Sequence, residues 1–358
     1  MTAVQIITSP TDSALDKLCE ALASRADALD LSGEWPAEQL RLLGEYGVYE
    51  WFLAAESGGQ DWSDVDVIRG YLRLAAACLT TTFILTQRTG ACQRIAAGAS
   101  HRTLELLPPL LRGERFATVG ISHLTTSRRH LAKPVLAATE TFDGYLLDGF
   151  SPWVTGGAHA QTIVTGATLE DGRQILVAAP TDLPGVSADK PLPLVGLSSS
   201  HTGAVRFDKV QLSREWLIAG PIENVMTLGI GGSTGGLQTS TLAVGLAVTA
   251  IAYLEREAAQ REDLRAPAEA LRRDVDQTAA DLLALADGAC HCTPQDLRFR
   301  ANSLAMRATQ AALTAAKGTG YVAGHPAGRW CREALFFLVW SCPQPVASAS
   351  LCNLAGIQ

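Results

Sequence analysis

The sequence predicts an α+β chain of three parts: a block of helices, a β domain, and a second block of helices. Three observations predict it. Apolar residues recur at helical spacing through the first third of the chain. From Phe116 to about Leu217 the pattern alternates and is rich in Val, Thr, Leu and Gly. Long helical patterns return after the glycine-rich segment Gly229 to Gly236. At 358 residues the chain is too long for one simple core. Hydrophobic residues at 47% and charged residues at 18% give a globular, slightly apolar composition, which leans toward an oligomer.

In the first part, Leu15, Leu18, Leu22 and Leu29 keep helical spacing behind the capping candidates Thr11 and Asp12. A second helix is predicted from about Ala37 to Tyr49, and Gly58-Gly59 breaks the pattern. Ser63 then caps a helix carrying Val67, Ile68, Tyr71, Leu72 and Ala75, followed by an apolar segment from about Thr82 to Ala97. Pro108-Pro109 and Gly113 close this part, so the expected divisions are 1–112, 113–222 and 223–358. In the β domain, Asp143-Gly144, Asp148-Gly149 and Asp171-Gly172 read as hairpin turns, because both residue types tolerate positive φ. This domain should be a compact barrel or sandwich. In the last part helices are expected over about Leu237 to Asp263, Pro267 to Ala289, Pro294 to Lys317 and Ala327 to Trp340.

The net charge of −7 gives no electrostatic support for nucleic-acid binding. The longest apolar stretch, Leu242 to Leu254, is short of the roughly 20 residues that cross a bilayer. No secretory signal is read at the N-terminus. Eight scattered cysteines in apolar context fit a reduced, cytoplasmic setting. Cys290-His291-Cys292 is the one local cluster and offers too few ligands for a closed zinc site, so no metal is expected.

The order of parts resembles the acyl-CoA dehydrogenase family, and five local motifs agree. They are Glu56-Ser57-Gly58-Gly59; Leu107-Pro108-Pro109-Leu110 with Gly113-Glu114; Gly149-Phe150-Ser151-Pro152-Trp153-Val154-Thr155, similar to a Gly-x-Lys-x-Trp-Ile-Thr strand; Lys317-Gly318-Thr319-Gly320-Tyr321; and Arg329-Trp330-Cys331-Arg332-Glu333-Ala334, similar to Arg-x-x-Arg-Asp-Ala. The resemblance spans nearly the whole chain. It implies an N-terminal helical domain, a middle β-barrel and a C-terminal four-helix bundle. It also implies FAD as cofactor, an acyl thioester as substrate, an electron-transferring flavoprotein or flavin reductase as partner, and a homodimer or homotetramer.

On a strand, Trp153 and Thr155 share a face, so a ring and a hydroxyl can meet one planar ligand. The resemblance places both beside the flavin. It puts Ser122 where the family has a flavin-contacting threonine, His123 where it has glutamate, and Arg128-Arg129 near its Gly-Ser-Asp. Ser122 keeps a hydroxyl, and His123 is the histidine suited to acid-base work. Gly318 and Gly320 match the loop that meets a neighbouring subunit's FAD, and Arg261 stands where an arginine contacts its pyrophosphate, although the family's Phe-Gly is missing after it.

The catalytic carboxylate is missing from both positions that the family uses. Ser341 occupies the usual glutamate position, and the alternative position falls at about Gly235. Glu333 is expected to pair with an arginine of its own helix, and Cys342 to be structural. Three functions therefore stay open. One is dehydrogenation of the CH–CH group of an acyl thioester with a non-standard base. Another is a flavin-dependent monooxygenase or oxidase, which needs no such base. The third is a non-catalytic paralogue.

Overall fold

Capping side chains start the helices that the periodicity predicts. In the computed structural model, which describes residues 5–98, 100–125, 134–231, 236–289 and 291–357, Asp12 Oδ1 accepts the Ala14 N–H at 2.9 Å and opens α1 (Ser13–Ser32). Gly33, with φ +67°, ends that helix. After α2 (Ala37–Glu45), Ser63 Oγ accepts the Asp66 N–H at 3.2 Å and opens α3 (Asp64–Ala77). The helix α4 (Leu79–Ala96) follows directly, then the short α5 (His101–Leu104) and α6 (Leu107–Leu111). Arg128, Arg129, Gly235 and Cys290 lie outside the described residues.

The β domain begins with β1 (Ala117–Gly120) and the one-turn α7 (Ser122–Thr125). It continues through β2 (Leu136–Glu140), β3 (Gly144–Thr155), β4 (Thr162–Thr168), β5 (Gln174–Pro180), β6 (Val186–Ala188), β7 (Thr202–Ser213) and β8 (Leu217–Ile222). The eight strands form one sheet in the order β6-β7-β3-β2-β4-β5-β8, with β1 parallel to β4. In β5, Ile175, Val177 and Ala179 enter a core inside the β domain, while Leu176 and Ala178 pack with α4 and α6. A strand covered on both faces reads as a continuous apolar run, as Ile175 to Ala179 does.

Two of the three Asp-Gly pairs stand at turns, between β2 and β3 and between β4 and β5. Asp148-Gly149 does not. It lies inside β3 at a bulge, where the register to β7 shifts between Leu147 and Gly149. Gly149 has φ +130°, and a Cβ there would meet the Val135 carbonyl at 2.2 Å. The same dipeptide serves a bulge for the same reason that it serves a turn.

The C-terminal part holds α8 (Leu237–Ala258), α9 (Arg265–Ala286), α10 (Pro294–Ala316), α11 (Pro326–Leu335) and α12 (Gln344–Leu354). By length and apolarity α8 could cross a membrane, contrary to the sequence reading, but 67% of its apolar window is buried inside the fold. It is the central core helix, packed on α3, α9 and α10. The last helix, α12, also corrects the sequence reading. It lies beyond the last helix predicted, which ends near Trp340, and its Pro345 stands in the first turn, where a missing N–H costs nothing. The first and last helical blocks share one core, in which Leu15, Leu18, Leu74, Leu246, Ile251 and Leu304 take part together.

Candidate active site

The three parts meet around a cavity of about 650 Å³. α4 lends Phe83, Gln87, Gln93 and Arg94; the β domain lends Ser122, Trp153, Thr155 and Thr202. A strap over Leu194–Leu197, the start of α8 with Gln238, and the segment from Arg332 to Ser341 complete the wall.

Trp153 and Thr155 line this cavity together. A second register shift in β3, between Ser151 and Val154, accompanies a Trp153 that is 47% exposed beside a fully buried Val154. Thr155 is buried, with its Oγ1 3.0 Å from Thr202 Oγ1, which in turn lies 2.9 Å from Ser200 Oγ. Ser122 lies on the same wall at the start of α7. Its Oγ is buried and has no hydrogen-bond partner among the described residues. An unmet hydroxyl on a cavity wall is free to bond a ligand, and native folds satisfy nearly all such groups. An aromatic face, a paired hydroxyl and an unmet hydroxyl on one wall fit the ring of a flavin.

The opposite wall is aromatic. Trp340 stacks on Phe336 with ring centroids 4.8 Å apart, and Phe83 meets both rings edge-on at 5.1 and 4.8 Å. Ser341 lies beside them with φ +42°, a left-handed conformation uncommon for residues other than glycine. From α10, the buried Arg298 donates from Nη2 to the Trp340 carbonyl at 2.9 Å and from Nε to Asn302 Oδ1 at 3.0 Å. Among the described residues no carboxylate lines the cavity. Arginines do. Arg94 donates to the Gly90 and Gly231 carbonyls at 2.8 and 3.3 Å, and burial lowers it to about 10. Arg332 pairs with Asp30.

Several expected residues stand elsewhere. His123 is not on the cavity wall: its Nε2 donates to the Gly166 carbonyl at 2.8 Å, and burial holds the ring below the ordinary histidine range. Successive residues of a helix point about 100° apart, so Ser122 and His123 cannot share a target. Glu333 is buried with Arg329, whose Nη1 lies 3.1 Å from its Oε1, while Arg329 Nε reaches Asp27 at 2.8 Å. Burial raises Glu333, and the guanidinium opposes that shift. Cys342 also stays off the wall, and burial raises its thiol above the usual value. Arg261 donates to the Ala315 carbonyl at 2.7 Å, which puts it beside the turn Lys317–Tyr321 with Gly318 and Gly320. None of these three lines the cavity.

Residues that the sequence reading passed over include Gln87, Gln93, Arg94 and Gln238. For the first three the available signal was the unusual density of polar residues in α4, a helix that is buried on nearly every side.

No family model matches the chain. Probable acyl-CoA dehydrogenase YngJ of Bacillus subtilis (strain 168) is 22% identical, over 87% of this chain and 88% of its own. Mitochondrial isovaleryl-CoA dehydrogenase of Oryza sativa subsp. japonica is 23% identical, over 89% and 83%. The solved complex of glutaryl-coenzyme A dehydrogenase with glutaryl-CoA superposes with a TM-score of 0.81 at 17% identity, over 97% and 96%. The chain has the fold of the acyl-CoA dehydrogenases and is similar to them in sequence over most of its length. Another glutaryl-CoA dehydrogenase of this fold, from Mycobacterium smegmatis and solved with FADH2, superposes at 0.80 with 16% identity, over 97% and 96%. The cavity carries Trp153, Thr155 and the Ser122 hydroxyl on one side and Ser341 on the other.

Proposed function

We propose that this chain is an FAD-dependent oxidoreductase acting on the CH–CH group of an acyl thioester. The observation that carries the reading is one wall with three features: the exposed Trp153 ring, the Thr155–Thr202 hydroxyl pair and the unmet Ser122 hydroxyl. Trp153 would cover a planar ring and exclude water from it. Thr155, oriented by Thr202, and Ser122 would bond its polar edge. The bound flavin would supply the electron-accepting group. Arg261, Gly318 and Gly320 cluster away from this cavity, where they would serve FAD only across a subunit contact in a homodimer or homotetramer.

Proton removal is the weak link. Ser341 cannot accept a proton near neutral pH unaided, and no carboxylate among the described residues replaces it on the wall. That observation favours a second reading, a flavin-dependent oxidase or monooxygenase served by a flavin reductase.

The purified protein is expected to be yellow, or to become so with FAD. Bleaching by acyl-CoA thioesters without oxygen supports the dehydrogenase, with an electron-transferring flavoprotein as acceptor. Reductase-dependent oxygen uptake without such bleaching supports the second reading. A protein that takes up no flavin defeats both.

A further inference from the structure

We propose that His159 and His201 are positioning residues for the Thr155–Thr202 wall, and that the hydrogen bond between their imidazoles makes the hold of that wall on its ligand depend on pH. The ligand is the flavin of the preceding reading; the device itself does not need that reading.

The two histidines stand where three segments cross. His201, with φ +46°, directly precedes Thr202. Gly156 directly follows Thr155, and its N–H is shared between the Ser200 and His201 carbonyls at 3.0 and 3.2 Å. A Cβ at Gly156 would come within 2.5 Å of Trp35, so the chain is tight here. The Trp35 ring stacks on His159 with centroids 4.2 Å apart and planes at 10°, and meets Phe116 edge-on at 5.3 Å. His159 Nε2 lies 2.9 Å from His201 Nδ1, and His201 Nε2 lies 3.0 Å from the Gly33 carbonyl.

The proton positions follow from the partners. A carbonyl only accepts, so His201 carries its hydrogen on Nε2. Its Nδ1 is then the lone pair, and His159 Nε2–H donates to it. A first added proton can sit on His159 Nδ1 and leave this bond intact. A second must sit on His201 Nδ1, where it sets N–H against N–H.

Among the described residues neither ring is paired with a carboxylate. The turn Gly33–Trp35 brings Glu34, which is exposed. The sheet side brings Phe116 and Gln161, whose amide donates to the His159 carbonyl at 3.1 Å, and the last segment brings Ser198 to Ser200. Burial first, and His201 second, hold His159 below its ordinary value. Acid therefore opens the pair only once both rings carry a proton, releasing the turn that sets Thr202 against Thr155.

The test titrates FAD affinity of the full chain between about pH 8 and pH 5, beside the tryptophan emission of the flavin-free protein. Affinity should stay level down to about pH 7 and fall about tenfold by pH 5, equal to about 1.4 kcal/mol. Emission should change over the same range in wild type and not in Trp35→Phe. His201→Ala should weaken binding about tenfold at pH 8, comparable to a lost hydrogen bond in a buried site. His201→Gln, whose amide donates and accepts without titrating, should restore it and flatten the profile. If His201→Ala does not fold, His159→Gln should flatten the profile likewise. The inference is overturned if the glutamine variants titrate as wild type does, or if the Trp35 contribution to emission ignores pH. Should no FAD bind at any pH, the flavin reading falls, and the Trp35 signal alone decides this one.

Discussion

The two long walls of the cavity differ in kind. The wall from the β domain offers a ring, a hydroxyl pair and one unmet hydroxyl, all suited to holding a planar ligand. The wall from the C-terminal part offers stacked aromatics and a serine in a left-handed turn, with no carboxylate or histidine among its described residues. The contrast teaches that binding and chemistry can separate within one fold: the first wall is equipped to hold a planar ligand, while the second offers no carboxylate among the described residues.

The largest test of that contrast is to put the missing group back. Ser341→Glu should raise anaerobic reduction by acyl-CoA by about 100-fold or more, the usual worth of a positioned base. No gain would mean that the second wall serves other chemistry. Next, Trp153→Ala should weaken flavin binding by about 1.5–3 kcal/mol, from lost apolar area and ring contact, as read by the dissociation constant. An unchanged constant would remove the first wall from the ligand. Ser122→Ala should cost about 1 kcal/mol of flavin affinity while leaving the Tm of the flavin-free protein unchanged or higher, because an unmet buried hydroxyl is removed. The smallest effect concerns the discarded base. His123 is held neutral, so its folded pKa is below its unfolded value of about 6.5. Its stability contribution is full above that value and is lost as pH falls through the folded pKa. His123→Gln should therefore soften the acid drop in Tm below about pH 6.5, and leave kcat at pH 7.5 within about threefold.

The fold was legible where the signal was local. Leu15, Leu18, Leu22 and Leu29 mark a buried face, and Asp12 and Ser63 mark helix starts, because each acts on residues within one or two turns. Asp148-Gly149 was misread because a bulge and a turn ask the same backbone freedom of the same residues. The site was half legible. Trp153 and Thr155 could be paired from strand geometry, but Ser122 and His123 differ only in direction around a single helical turn. Gln87, Gln93 and Arg94 were hidden for another reason. A helix covered on nearly all sides has no face to read, so which of its polar groups look into a cavity depends on distant packing.

The core shared by the first and last helices has a consequence for how the molecule is made. The helix α3 finds its main partner, α8, only after more than one hundred and fifty further residues have been joined. During synthesis the β domain, whose inner core draws on residues 136 to 212, can close first. The opening helices can pack on one another, but the face of α3 that α8 covers must wait, bare, for the last third of the chain. Contacts so distant along the chain form slowly and leave sticky surface exposed meanwhile. A ribosome stalled before Leu237 would therefore hold a finished middle and an unprotected beginning.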